Sequence, residues 1–286
     1  MPQSERLPAL SGGNVGSPLD TAAAEELLAR GEITVEGRLT DASNATLYCR
    51  VELDGVARQC VWKPVAGERP LWDFPDGTLA GREVATYLLS EAAGWGIVPP
   101  TVLRDGPYGT GMCQLWIDGD PGDGLVDLQE TPQPGWLPIV QVALDDGEGG
   151  STPAYLTHAD TGALRRVAVF DVVANNADRK GGHLLPGPDG HVYGIDHGIC
   201  LHTEDKLRTL LWGWAGEELP AEALDTLSRL ATELDDPKGP LASALGEHLT
   251  AAEVDAVRAR IAGLRQSRRH PLPTPGRRPA VPWPLI

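Results

Sequence analysis

The sequence predicts an α+β fold in two lobes, a small sheet-plus-helix lobe followed by a helical one. Three observations carry that expectation. Residues 46–63 alternate in polarity on either side of the turn dipeptide Asp54-Gly55, the signature of a hairpin. Residues 79–93 place Val84, Leu88 and Ala92 on one helical line and close on Gly94. Beyond residue 152 the apolar spacings become those of helices.

Taken in order, residues 1–19 lack periodicity and read as a loose N-terminal arm. Asp20 or Thr21 is placed to cap a helix over 22–30, which Gly31 would end. β-structure is expected from 33 to 63, with a loop over 39–45 between the first strand and the hairpin. A Pro- and Gly-rich loop over 64–77 leads into the 79–93 helix. Ile97-Val98 and 113–117 read as further strands around the turn signals of Asp105-Gly106-Pro107. These elements make a small lobe over 20–117.

Residues 118–151 shift to Asp, Gly, Glu and Pro and read as an acidic connection with a short apolar stretch over 139–144. The second lobe, 152–286, opens with Leu164, Val167, Phe170 and Val173, spaced by threes on one helix face. Helices are expected over 219–230 and 250–264, the latter begun by the capping box of Thr250 and Glu253. Trp212-Gly213-Trp214 reads as core. The proline-rich tail from Arg268 cannot form a helix or a central strand. Trp283 and the cations Arg277 and Arg278 are expected to hold that tail on an acidic body.

Bulk properties narrow the function. A net charge of −16 over 286 residues argues against a nucleic-acid partner held through phosphates, and against docking on an anionic membrane. No apolar run reaches the length of a spanning helix, and the N-terminus lacks a signal pattern, so a cytoplasmic monomer is expected. Cys49, Cys60, Cys113 and Cys200 are scattered singly, which fits buried thiols better than a zinc ribbon or a disulfide framework.

The chemistry concentrates in two segments, Asp178-Arg179-Lys180-Gly181-Gly182-His183 and Gly194-Ile195-Asp196-His197-Gly198. Phosphoryl transfer needs one carboxylate to orient the attacking hydroxyl, a second to hold a metal on the phosphates, and a further ligand five residues after the first. Asp178, Asp196 and His183 meet that layout, with His where Asn is usual. Arg179 and Lys180 are cations suited to partner the transferring group. Asn176 and His197 flank the two acids and are expected to orient them. Upstream, Lys63 ends a strand and Glu83 lies in the first turn of the next helix, a Lys–Glu pair of the kind that positions a phosphate-binding lysine. Ser43 and Asn44 supply a small-residue turn for phosphate contact. Imidazole in the metal set favours Mn²⁺ over Mg²⁺.

The segment from Asn176 to Leu184, together with Ile195-Asp196-His197-Gly198, resembles the catalytic and metal-binding loops of phosphatidylinositol 3- and 4-kinases, especially the type II 4-kinases. More closely, the chain resembles a group of small actinobacterial phosphatidylinositol 3-/4-kinase-like proteins. That resemblance implies a two-lobed protein-kinase-like fold, ATP with Mg²⁺ or Mn²⁺ as cofactors, and transfer to a hydroxyl acceptor. It implies Lys63 as phosphate-binding lysine, Asp178 as catalytic aspartate and Asp196 as metal aspartate. A hinge over 114–117, with Gln114, Trp116 and Ile117, would contact adenine. The acceptor would be a protein, a small polyol or an inositol lipid. The alternative is a pseudokinase that binds nucleotide or a partner without turnover. A metal-dependent hydrolase ranks below both, because it leaves Lys63 and Glu83 without roles.

Overall fold

The computed structural model describes residues 19–39, 44–145, 150–274 and 280–284. The chain forms two compact units, one from Met1–Arg69 with Pro100–Asp118, the other from Pro70–Pro99 with Gly119–Ile286.

The first unit is a five-stranded antiparallel sheet and one helix. Helix α1 (Thr21–Arg30) starts where Asp20 accepts the Ala23 N–H at 2.8 Å and stops at Gly31. Strands β1 (Glu32–Leu39), β2 (Thr46–Leu53) and β3 (Val56–Pro64) follow, then β4 (Thr101–Gly106) and β5 (Gly109–Leu115). The order is β1-β2-β3-β5-β4. Asp54 and Gly55 both take positive φ, 50° and 80°, as a two-residue hairpin turn matching strand twist requires. Leu27 and Leu28 of α1 pack on Cys49, Val51, Cys60, Trp62 and Cys113. All four cysteines are free and buried.

The second unit begins with α2 (Leu79–Ala93), capped by the Thr78 hydroxyl and closed by Gly94 at φ 68°. Sequence reading grouped this helix with the sheet of 20–117, whereas its side chains join the second unit's core. Ile97 and Val98 are not a strand. They are buried in the second unit's core, and the Gly194 N–H donates to the Ile97 carbonyl.

Much of the expected acidic connection is ordered β-structure. Strands β6 (Val126–Gln129), β7 (Trp136–Asp145) and β8 (Ser151–Ala159) form an antiparallel sheet in the order β6-β8-β7. Helix α3 (Gly162–Ala174), the short antiparallel pair β9 (Leu184–Pro186) and β10 (Val192–Gly194), and helices α4 (Ala221–Asp235), α5 (Pro240–Gly246) and α6 (Ala251–Ser267) complete the unit. α6 carries the expected capping box. α5 was not anticipated.

Trp214 is core, 1% exposed, packed on His158 with ring centroids 4.3 Å apart. Gly213 is there for space, because a Cβ would come within 2.5 Å of His158 Nε2, which accepts the Gly213 N–H. The tail contacts the unit through the Ala280 carbonyl, which accepts from Trp212 Nε1, and through Thr274 to Asp205. Trp283 itself is 79% exposed and does not supply the expected packing. Arg277 and Arg278 lie outside the described residues.

Candidate active site

The loop carrying Asp178 leaves α3 through Asn175, a C-cap at φ 53°. Its amide donates to the carbonyls of His202 and Glu204 and accepts the Lys206 N–H, so one side chain fixes the α3 end against a second loop. Asn176 is fully buried. Its Oδ1 accepts the Asp178 N–H at 2.9 Å and its Nδ2 donates to Asp171 at 3.1 Å. The orienting role read for Asn176 therefore has a concrete form: it aims the backbone that presents Asp178.

Arg179 overturns its sequence assignment. It is 0% exposed, and all five guanidinium N–H groups point to protein acceptors. Nε and Nη2 meet Asp171 at 3.0–3.2 Å, Nη1 donates to the carbonyls of His183 and Ile195 at 3.1 Å each, and Nη2 reaches His197 Nε2 at 2.6 Å. No donor remains for a phosphoryl group. Asp171 also accepts from the Thr209 hydroxyl at 3.0 Å. A buried Arg–Asp pair is tolerable only because these extra bonds satisfy both ions. Gly194 permits the approach, since a Cβ there would come within 2.9 Å of Nη2. Sequence reading missed Asp171 and Thr209. The available signal was a lone carboxylate between Phe170 and Val172 on a buried helix face.

On the solvent side of this brace lie the groups with chemistry to offer. Asp178 pairs with Lys180 at 2.9 Å, each side chain 21% exposed. His183 Nε2 lies 3.4 Å from Asp196 Oδ2, with the Asp196 side chain 52% exposed. Asp196 takes φ 60°, a left-handed conformation that Asp tolerates better than most residues. Burial holds the His183 imidazole below its usual range, opposed by the Asp196 charge. Its Nδ1 is buried without a hydrogen-bond partner among the described residues. His197 accepts from Arg179 at Nε2, which makes Nδ1 the protonated nitrogen, and its backbone N–H donates to Glu83 Oε2 at 2.9 Å. Glu83, 1% exposed and just past the first turn of α2 rather than in it, thus anchors the Asp196 segment to that helix. Residues 119–125 join the site as well: the Gly122 N–H donates to the Leu184 carbonyl at 2.7 Å, and a Cβ on Gly122 would lie 3.2 Å from the Gly181 carbonyl.

Among the described residues no three His, Cys, Asp or Glu side chains converge as a metal cage. Two protein donors, His183 and Asp196, fit a metal whose remaining positions go to phosphates and water.

The other predicted residues lie in the first unit. Lys63, half-buried, stands opposite Met112 in the β3–β5 ladder. Asn44 Oδ1 accepts the Arg69 N–H at 2.9 Å, and Ser43 is outside the described residues. Gln114 is 5% exposed with its amide bonded to Thr101, so its side chain is committed to the sheet. β5 ends at Leu115, which leaves Trp116 and Ile117 beyond the strand. Trp116 meets Tyr48 edge-on at 5.0 Å and donates to Asp118.

The fold is a protein-kinase-like one. The structure resembles the Golgi casein kinase with Mn/ADP bound (TM-score 0.54, 13% identity, 86% of this chain and 75% of that one). It also resembles hydra Fam20 with sugar (TM-score 0.53, 14% identity, 88% and 89%). Phosphatidylinositol 4-kinase gamma 2 of Arabidopsis thaliana is 27% identical over 184 residues, 56% of this chain but only 30% of that protein. No family model matches the sequence. The chain belongs to the family of protein Rv2133c of Mycobacterium tuberculosis, to which it is 52% identical over 271 residues, 91% of this chain and 94% of that protein.

Proposed function

We propose that this protein transfers the γ-phosphoryl group of ATP to a hydroxyl acceptor. The observation that carries the reading is the grouping of Asp178, Lys180, His183 and Asp196 on the open side of the Arg179 brace, partly exposed where Arg179 and Asp171 are sealed. Asp178 accepts the hydrogen bond of the attacking hydroxyl and takes its proton as the new oxygen–phosphorus bond forms and the bond from the γ-phosphorus to the β,γ-bridging oxygen breaks, releasing ADP. Lys180, already beside Asp178, supplies positive charge where the phosphoryl oxygens gain negative charge.

His183 Nε2 and Asp196 would hold the divalent ion. That ion, when bound, neutralises charge on the phosphates. An imidazole–carboxylate pair suits Mn²⁺ better than Mg²⁺. By the likeness to phosphatidylinositol kinases, Lys63 would contact the α- and β-phosphates, Asn44 would belong to the nucleotide loop, and 114–117 would contact the base. The acceptor is a protein, a small polyol or an inositol lipid.

The test is label transfer from γ-labelled ATP with each metal in turn. Asp178→Asn should lower transfer by at least about 100-fold while leaving nucleotide affinity within a few-fold. A pseudokinase is the second reading, and one observation favours it: His183 already points Nε2 at Asp196 while its Nδ1 has no partner among the described residues, an incomplete outer shell for a metal ligand. Thermal stabilisation by ATP without any product would decide for it.

A further inference from the structure

The segment after Asp196 runs beside the Asp178 loop and carries two cations of opposite disposition. Lys206 is tied to Asp73 at 2.7 Å and lies near the rings of Phe74 and Trp72. Arg208 is held differently. Its backbone N–H donates to the Asn176 carbonyl and its carbonyl accepts the Arg179 N–H, so residue 208 is registered on both sides of Asp178. Its Nε donates to the Ala177 carbonyl at 3.0 Å, which fixes the start of the guanidinium against the residue preceding Asp178.

The two terminal nitrogens of Arg208 have no partner among the described residues, and they are not among the sealed polar atoms of the molecule. Every other cation near the loop is engaged: Arg179 with five acceptors, Lys180 with Asp178, Lys206 with Asp73. A protein of net charge −16 repels anions over most of its surface. A pre-aimed guanidinium fork with both terminal nitrogens open is the group that takes a carboxylate or phosphate bidentately.

We propose that Arg208 is a specificity-determining residue that selects an acceptor bearing an anionic group beside the reacting hydroxyl, and that this acceptor is an acidic stretch of polypeptide. The inference rests on the phosphoryl-transfer reading above. Polypeptide is favoured over an anionic bilayer because a bilayer would have to approach the whole acidic body, whereas a peptide need meet only this local cation.

The experiment uses the full chain with γ-labelled ATP and Mn²⁺ or Mg²⁺. The acceptors are degenerate serine peptides that differ in one neighbour, Glu, phosphoserine, Gln or Lys, with phosphatidylinositol vesicles as a separate arm. Wild type should favour the Glu and phosphoserine peptides over the Gln peptide by roughly tenfold or more in kcat/KM. In Arg208→Gln that preference should vanish through KM, with the rate on the Gln peptide unchanged. Arg208→Glu should turn the preference towards the Lys peptide. Transfer to peptides without an acidic preference, or a preference that survives Arg208→Gln, overturns this inference and leaves phosphoryl transfer standing. Label confined to the lipid arm overturns the polypeptide assignment. Absence of transfer in every arm overturns this inference.

Discussion

Arg179 and Lys180 are neighbours in sequence with opposite fates. The arginine and its partner Asp171 are 0% exposed and tied to both loops of the candidate site, while the lysine and Asp178 keep a fifth of their side-chain surface in solvent. The lesson is a division of labour between two layers of charge. The inner layer, with Asn176, Thr209 and His197, fixes backbone positions. The outer layer, with Asp178, His183 and Asp196, is left able to change partners.

The sharpest way to break that comparison is to remove one carboxylate from each layer. Asp171→Asn leaves the Arg179 charge buried without its counter-ion and should cost about 3–5 kcal/mol, read by urea unfolding. Asp178→Asn should change stability by about 1 kcal/mol or less, because its ion pair is partly exposed, yet lower phosphoryl transfer by about 10²–10⁴-fold. Equal stability losses for the two variants would erase the distinction between layers.

Burial also sets the pH response. His270 is 5% exposed, bonded to Arg165, and burial pushes its imidazole down to about 4. The unfolded chain binds that proton near pH 6.5 and the fold does not, so stability is lost as pH falls from about 6.5 towards 4. The loss reaches up to about 3 kcal/mol at the lower limit. His158, lowered by burial and with Nε2 already accepting the Gly213 N–H, adds to the same trend. His270→Gln should flatten the acid limb of a plot of midpoint denaturant against pH. An unchanged limb would mean that the acid sensitivity arises at other groups.

Smaller effects bound the comparison from below. Thr250→Ala removes the hydroxyl that accepts the Glu253 N–H in the α6 capping box and should cost about 1 kcal/mol. Arg166→Ala breaks an exposed pair with Glu222 and should change the melting temperature hardly at all, since such pairs contribute about 0–1 kcal/mol.

Asp178, His183 and Asp196 stood out in the sequence because their spacing matches the one expected for phosphoryl transfer, and His183 and Asp196 do come within 3.4 Å of each other. The helices with caps were legible too: Asp20, Gly94, and Thr250 with Glu253 each mark an end by local chemistry. What stayed hidden was long-range. Asp171 and Thr209 meet Arg179 only through folding, so the sequence offered Arg179 as a free cation when its donors were already spoken for. The β6-β8-β7 sheet was masked by Asp, Gly and Pro around it, and by the Pro138 bulge that interrupts the alternation of β7. Helix α2 was placed with the sheet because it follows it in sequence, whereas its apolar side chains join the second unit's core.

The central claim is tested most directly by measuring transfer of the γ-phosphoryl group, and nucleotide affinity, for wild type and Asp178→Asn side by side with Mn²⁺ and with Mg²⁺. The account predicts transfer by wild type, a loss of at least about 100-fold in the variant, and nucleotide affinity within a few-fold of wild type. Equal transfer by both proteins, or nucleotide binding by wild type with no product under either metal, would contradict it.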